Sequence, residues 1–368
     1  MLELADIVRA TGEVYQRLHG ASLLPSHRRA LRDIVACRTA ALGGHVQACD
    51  QCGTRQYSYH SCRNRHCPKC HREQTERWLD RQRARLLPCA YYLLTFTLPA
   101  DLRAVARAHQ KRVYGVLMTA AAAALLRLTA DPRYLGARPG LLAVLHTWTR
   151  ALLYHPHVHM LVTAGGLRGS DHTWARPRHA AFLVPGRALS RLFRGKVRAG
   201  LRKAGLLEQV PLAVWGQEWV VHVQSAGTGE KVLEYLARYV FRIALVNSRL
   251  ERFEDGRVTF RYRDGRSGLR RRCTLDAVAF LGRLLQHVLP QGFTKVRHYG
   301  LFSPSRRDRL AQAREQLLAV SADAPADRTS NAPAPPPAPT SAPCRRCPAC
   351  GIGVLHVVET LRPCGRSP

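Results

Sequence analysis

Lysine and acidic side chains are both scarce in this chain. Only six of its 57 Lys and Arg residues are lysines (Lys69, Lys111, Lys196, Lys203, Lys231 and Lys295), and 25 Asp and Glu leave a formal net charge of +32. A genome that favours Arg codons explains part of the bias toward arginine but not the net charge. A basic excess of this size repels itself unless a polyanion is near, so nucleic acid is the expected partner. Long apolar runs are also missing. The longest, Tyr114 to Leu126, lies between Arg112 and Arg127, is much shorter than the roughly 20 residues that span a bilayer, and is expected to be a buried helix. The N-terminus lacks the charged start, apolar stretch and small-residue cleavage site of a secretory signal, so a cytoplasmic protein with no membrane partner is expected. There is no P-loop pattern either, which argues against chemistry driven by a nucleoside triphosphate.

What is present is cysteine in clusters. Seven of the twelve lie between Cys37 and Cys89, four between Cys344 and Cys364, and Cys273 stands alone. In a reducing compartment such clusters are thiolate ligands more often than disulfides. Four C-x2-C pairs occur (49/52, 67/70, 344/347 and 347/350), against about 0.4 expected from random placement. Zinc takes four soft ligands at tetrahedral corners, and each C-x2-C loop offers two thiolates to one ion. Cys49, Cys52, Cys67 and Cys70 are therefore expected to hold one structural Zn2+, with Arg63, Arg65, Lys69 and Arg72 decorating the knuckle. Cys37, His45, His60, Cys62, His66 and His71 are candidates for a second site or for support of the first. The C-terminal Cys344, Cys347, Cys350 and Cys364 resemble half or all of another knuckle.

Between the clusters, helical and strand patterns alternate. Tyr91 to Leu98 reads as a strand ending at Pro99, and Asp101 to Leu128 as a helix with Asp101 at its N-cap. Leu141 to Thr163 reads as two strands, and Trp219 to Gln224 as another. Glu230 to Val246 reads as a helix with one buried face, Val258 to Tyr262 as a strand and Cys273 to Leu289 as a helix. Adjacent strands without an intervening helix predict an α+β fold with a mainly antiparallel sheet. Ala319 to Pro343 is rich in Pro, Ala, Ser and Thr and is expected to be a disordered linker. The expected division is 1–90 helical and zinc-binding, 91–318 a catalytic domain, 319–343 the linker and 344–368 a Cys-rich tail.

Two pairs of residues carry the candidate chemistry. On a strand, residues two apart share a face, so His157 and His159 in YHPHVHMLV would set two imidazoles on one divalent ion, with Val158 in the core behind them. Tyr235 and Tyr239 form the only Y-x3-Y in the chain and, on a helix, put two phenols on one face. A phenol is a poor nucleophile at its ordinary pKa near 10, but becomes an effective one toward a metal-polarised phosphate with which it is aligned. One tyrosine would cut a strand and keep the phosphodiester energy as a phosphotyrosine, leaving the other for a second cut. Arg238 and Arg242, on the same helical segment, face either solvent or phosphate.

The ordered segments CDQCG…SCRNRHCPKC, HPHVHMLVTAGG, EYLARYVFRIALVNSRL and FLGRLLQHVLPQGFTKVRHYGLF resemble the HUH-type two-tyrosine transposases of rolling-circle insertion sequences. The resemblance runs from about Cys37 to Phe302. It implies a single-stranded DNA endonuclease and strand-transferase in a bacterial, nucleoid-associated setting. The implied HUH core is an antiparallel sheet flanked by helices and preceded by a zinc-ribbon-like domain. His157 and His159 would be metal ligands for Mg2+ or Mn2+, and Tyr235 and Tyr239 the nucleophiles. A third ligand is implied, with His146, His155, Gln224 and Glu234 as candidates, and Gln286 to Tyr299, containing Lys295, Arg297 and His298, would contact DNA. A rolling-circle plasmid replication initiator and a non-catalytic zinc-ribbon DNA-binding protein are the alternatives.

Overall fold

The computed structural model describes residues 1–70, 78–80, 82–83, 85–179, 183–228, 243–265, 267–322 and 346–364. It divides into two units, one made of residues 3–72 with 324–368 and the other of residues 73–323. The first unit opens with helix α1 (Leu4–His19), whose buried Leu4, Ile7, Val8, Thr11 and Tyr15 recur at helical spacing along one stripe. Its start is tied by the Glu3 backbone N–H, which donates to the Asp6 carboxylate at 2.9 Å. Helix α2 (Pro25–Ala36) begins with proline, where a missing N–H costs nothing. Strands β1 (Gly44–Cys49) and β2 (Arg55–Tyr59) then form an antiparallel hairpin with Val46 opposite Tyr57, its turn carrying Cys52.

The second unit is built on strand β3 (Tyr91–Thr97), as the sequence predicts. The single helix expected over Asp101 to Leu128 is instead two, α3 (Arg103–Ala108) and α4 (Gln110–Thr129), broken at His109, whose imidazole is hydrogen-bonded to Gln209 at 2.9 Å. Asp101 is not a cap. It lies in a 3₁₀ turn after Pro99 and accepts a hydrogen bond from the Gln217 side chain at 3.2 Å. Strands β4 (Gly140–Trp148) and β5 (Tyr154–Thr163) follow, then the short pair β6 (Gly166–Leu167) and β7 (Trp174–Ala175), helix α5 (Gly186–Lys203) and strand β8 (Val221–Gly227). Most of the helix predicted over Glu230 to Val246 lies outside the described residues.

Strands β9 (Leu250–Glu254), β10 (Arg257–Arg263) and β11 (Arg270–Asp276) make a separate antiparallel sheet in the order β11-β10-β9. Cys273, expected on a helix, is in β11. Helix α6 (Ala277–Leu285) starts four residues later because Asp276 caps it, its carboxylate accepting from the N–H groups of Val278 at 2.8 Å and Ala279 at 3.2 Å. Strand β12 (Val296–Gly300) and helix α7 (Arg307–Ala322) complete the unit, so helix runs past the expected linker start at Ala319.

The main sheet has the order β12-β4-β5-β3-β8, every neighbour antiparallel. Strand alternation gives it two apolar faces. Leu94, Phe96, Leu141, Leu145, Val158 and Met160 point to one face, where Tyr114, Leu117 and Met118 of α4 and Phe193 of α5 cover them. Phe96 and Phe193 meet edge to face with ring centroids 5.0 Å apart, and truncating either to alanine is expected to cost about 3–5 kcal/mol. Among the described helices only α4 is long and apolar enough to cross a membrane, and it is a core element here. On the opposite face, Tyr91, Leu93, Leu142, Val144 and Leu161 form a second cluster with Leu301, Phe302 and Leu317.

The last element among the described residues is strand β13 (Leu355–Leu361), which belongs to the first unit. It adds to β1 on the side away from β2, Gly44 pairing with Leu361 and Cys49 with Leu355, in a sheet of order β13-β1-β2. The Cys-rich tail, expected as a separate piece, is therefore the third strand of the N-terminal sheet.

Candidate active site and metal centres

The histidines stand where the second apolar face of the main sheet gives way to polar residues. Along β5, Pro156, Val158 and Met160 are buried while His155, His157 and His159 are half-buried on the other face. Val158 thus lies in the core behind the pair, as predicted. On β4 the same face carries Leu142, Val144 and then His146, which is 3% exposed and sits opposite His157. The three rings of His146, His157 and His159 have centroids 4.8 to 5.4 Å apart, and one nitrogen from each lies within 4.8 Å of the others.

Hydrogen bonds orient the rings. The Nδ1–H of His157 donates to the His155 carbonyl at 2.7 Å, leaving Nε2 as its ligand atom. His159 Nδ1 lies in hydrogen-bond contact, 3.1 Å, with the Thr95 hydroxyl of the neighbouring strand. Imidazoles whose Nδ1 is tied to the protein, as in His157 and His159, together with that of His146, suit a divalent cation. His155 is turned elsewhere. The Arg103 guanidinium donates to its Nδ1 at 3.0 Å, and burial, aided by that charge, holds its pKa below the usual imidazole value. Gln224, on β8, pairs with Leu93, whereas His159 pairs with Thr95. Of the candidates for third ligand, the one in the cluster is His146; Glu234 lies outside the described residues.

Tyr235, Tyr239, Arg238 and Arg242 also lie outside the described residues. Arg297 is on β12 opposite Ala143, its guanidinium 5.2 Å above the Phe293 ring. Lys295 stands 5.2 Å over the Trp148 ring, and that ring stacks on His146 with centroids 4.8 Å apart. His298 reaches the buried Gln82 at 3.4 Å.

The cysteines correct one assignment. Cys49, Cys52, Cys67 and Cys70 do not form one quartet. Cys67 and Cys70 cluster with Cys37 and Cys62, while Cys49 and Cys52 cluster with Cys347 and Cys350. The reason is geometric: Cys37 follows α2 and Cys62 precedes the 67–70 loop, so local chain completes that set, whereas β13 brings the tail cysteines to the β1–β2 turn. In the first set Cys70 Sγ is 3.2 Å from Cys37 Sγ and 3.3 Å from Cys62 Sγ. Asn64 organises the loop. Its carbonyl accepts from Cys67 N–H at 3.1 Å, its side-chain oxygen accepts from His66 N–H at 3.0 Å, and its amide donates to Asp33 at 3.0 Å. Hydrogen bonding with Cys62, foremost among its thiol neighbours, holds the Cys37 thiol below its ordinary pKa, which favours the thiolate a metal needs. Lys69, one of the cations expected to decorate the knuckle, pairs with Glu3 at 2.6 Å. His45 and His60 pack edge to face with centroids 4.8 Å apart, outside both cysteine sets. Cys364 is exposed and belongs to neither set, and Cys344 is outside the described residues.

Two family models match the chain. Residues 140–309 match one described as a "Putative transposase", and residues 7–98 match a "Transposase zinc-binding domain". A "Putative transposase y4qJ" of Sinorhizobium fredii (strain NBRC 101917 / NGR234) is 41% identical over 387 residues, covering 97% of this chain and 95% of that protein. The "Transposase for insertion sequence element IS801" of Pseudomonas savastanoi pv. phaseolicola is 31% identical over 290 residues, covering 73% of this chain and 68% of the relative. Among solved structures, the metal-bound conjugative relaxase TrwC in complex with oriT DNA aligns over 63% of this chain and 72% of its own, with 15% identity and a TM-score of 0.27.

Proposed function

Because the chain belongs to the family of insertion-sequence transposases that these matches represent, we propose that it nicks and rejoins single-stranded DNA at element ends through 5′-phosphotyrosine intermediates, in rolling-circle transposition. The observation that carries the reading is the convergence of His146, His157 and His159 at the polar end of the sheet, two of them with Nδ1 tied back to the protein. A divalent cation held there, magnesium or manganese, would polarise the scissile phosphate.

The phenol oxygen of Tyr235 or Tyr239 attacks phosphorus and loses its proton. The P–O3′ bond breaks, the departing 3′ oxygen takes up a proton, and the 5′ phosphate stays on the tyrosine. A free 3′-hydroxyl later attacks that phosphorus, restoring the phosphodiester and the phenol. The exchange conserves bond energy, in keeping with a sequence that has no P-loop. Holding the strand falls to the basic side chains, among them Arg238, Arg242 and Arg297, and their phosphate contacts give affinity and salt dependence more than sequence choice. Structural Zn2+ held by cysteine in the N-terminal unit keeps a rigid basic surface for DNA. The reading places the protein in the bacterial cytoplasm.

The test is incubation of the protein with labelled single-stranded DNA bearing element ends and Mg2+, followed by a denaturing gel. A covalent protein–DNA adduct that vanishes in the double variant Tyr235→Phe, Tyr239→Phe is the expected result. Undiminished DNA binding with no adduct for any end sequence contradicts it and favours a non-catalytic zinc-ribbon module.

A further inference from the structure

The match to a transposase zinc-binding domain ends at residue 98 and the other family match at residue 309, so neither reaches the tail cysteines. We propose that Cys49, Cys52, Cys347 and Cys350 bind a second zinc ion, distinct from the one held by Cys37, Cys62, Cys67 and Cys70, and that this ion fastens the C-terminal tail to the N-terminal unit.

Four observations converge. First, the two loops are the same device. Each reads C-x2-C-G (Cys49 to Gly53, Cys347 to Gly351), and the glycine after the second cysteine takes a left-handed φ, +66° in one and +72° in the other. That conformation favours glycine, and the third described pair, 67/70, is followed by His71 instead. Second, the backbone bonds correspond. Gly53 N–H donates to Cys49 O at 3.1 Å and Gly351 N–H to Cys347 O at 2.8 Å. Cys49 N–H reaches Thr54 O at 3.1 Å and Cys347 N–H reaches Gly353 O at 2.7 Å.

Third, the sulfurs are spaced for a metal. Cys49 Sγ to Cys350 Sγ and Cys52 Sγ to Cys347 Sγ are each 3.7 Å, between residues 301 and 295 positions apart in sequence. Four thiolates on a tetrahedral zinc with bonds of about 2.3 Å stand about 3.8 Å from one another. All four sulfurs lie within 4.8 Å of one another. Fourth, the two loops are bonded to each other. Asp50 N–H donates to Val354 O at 3.2 Å, and Val354 N–H returns a bond to the Asp50 carboxylate at 2.9 Å. A Cβ at Gly353 would run into Cys49 Sγ and lie 2.6 Å from the Asp50 carboxylate, so the approach is as close as a glycine permits.

Two matching knuckles on facing hairpin turns make one ribbon whose halves come from opposite ends of the chain. Residues 53–346, the whole unit 73–323 among them, lie inside the loop that the ion closes. Order in the tail then depends on metal, because loop closure must be sustained by the four thiolate bonds and the β1–β13 pairing.

Zinc content of the full chain, counted by atomic emission, tests the pairing. Cys49→Ser, Cys52→Ser and Cys347→Ser, Cys350→Ser should each lower the count by one zinc per chain, and the four substitutions together should still lower it by only one. No loss from the tail pair, or a loss of two from the quadruple variant, overturns the proposal. A second measurement uses the unsubstituted cysteines. With a specific protease site placed between residues 330 and 335 and cleaved, the tail fragment should stay with the protein on gel filtration and separate when a chelator is added. Separation without chelator, or retention after zinc has been stripped, contradicts the proposal.

Discussion

His146 on β4 faces His157 on β5 as a direct cross-strand pair, their rings 5.4 Å apart and nearly perpendicular at 88°. This places an imidazole from an otherwise apolar strand beside the two that the H-x-H pattern advertises. If His146 completes the proposed ion site, His146→Ala should behave like His157→Ala. Metal-dependent cleavage should fall by more than the ~10–100-fold that loss of an outer partner causes, while DNA binding persists. Calorimetric titration with Mn2+ alongside the cleavage assay checks this.

Thr95 tests the orienting contact. Its hydroxyl lies 3.1 Å from His159 Nδ1, and Thr95→Val removes that contact while keeping a β-branched side chain on the strand. Metal affinity should drop about 10–100-fold, with far-UV circular dichroism unchanged. An unaltered Mn2+ titration would remove Thr95 from the account.

His287 gives the fold a pH dependence of its own. It is buried, its Nε2–H donates to the Leu152 carbonyl at 3.2 Å, and burial pushes its pKa down to about 4 from an ordinary 6.5. The unfolded chain therefore takes up a proton at a pH where the native imidazole stays neutral. This residue's contribution is fully present above pH 6.5 and is lost as pH falls from there to about 4, by about 3 kcal/mol in all. Urea unfolding midpoints measured across that window should flatten in His287→Gln. An equally steep acid limb in the variant would assign the dependence to other groups.

Gly353 separates close approach from sheet pairing in the tail. Gly353→Ala leaves all four cysteines in place but sets a methyl against Cys49 Sγ. Loss of the same single zinc as in the tail cysteine variant is expected, with the Cys37 cluster still loaded. Two zinc ions per chain in this variant would mean that the loops stand further apart than the structure shows.

Much of the fold was readable because its signals are local. YYLLTFTL, LLAVLHTW and WVVHVQ follow strand chemistry, and alternation in HPHVHM is enough to put His157 and His159 on one face and Val158 on the other. Cap signals decide boundaries in short stretches: Asp276, whose carboxylate starts α6, outweighs the longer apolar pattern that begins at Cys273. The cysteine partners were not readable from spacing alone, since pairing of β13 with β1 over some 300 residues selects them. One local signal did distinguish them, the glycine after Cys52 and Cys350 that is missing after Cys70. His146 was one of four candidates because third-ligand status depends on the β4–β5 register, a long-range property.

The central claim is that a tyrosine of the Tyr235/Tyr239 pair becomes covalently joined to the 5′ phosphate of cut DNA. Mass spectrometry of the adduct, trimmed with nuclease and digested with trypsin, reads the attachment site directly. The account predicts a nucleotide on Tyr235 or Tyr239, formed only with divalent metal and absent from His157→Ala. Attachment to any other residue, or cut DNA bearing a free 5′ phosphate with no protein attached, would contradict it.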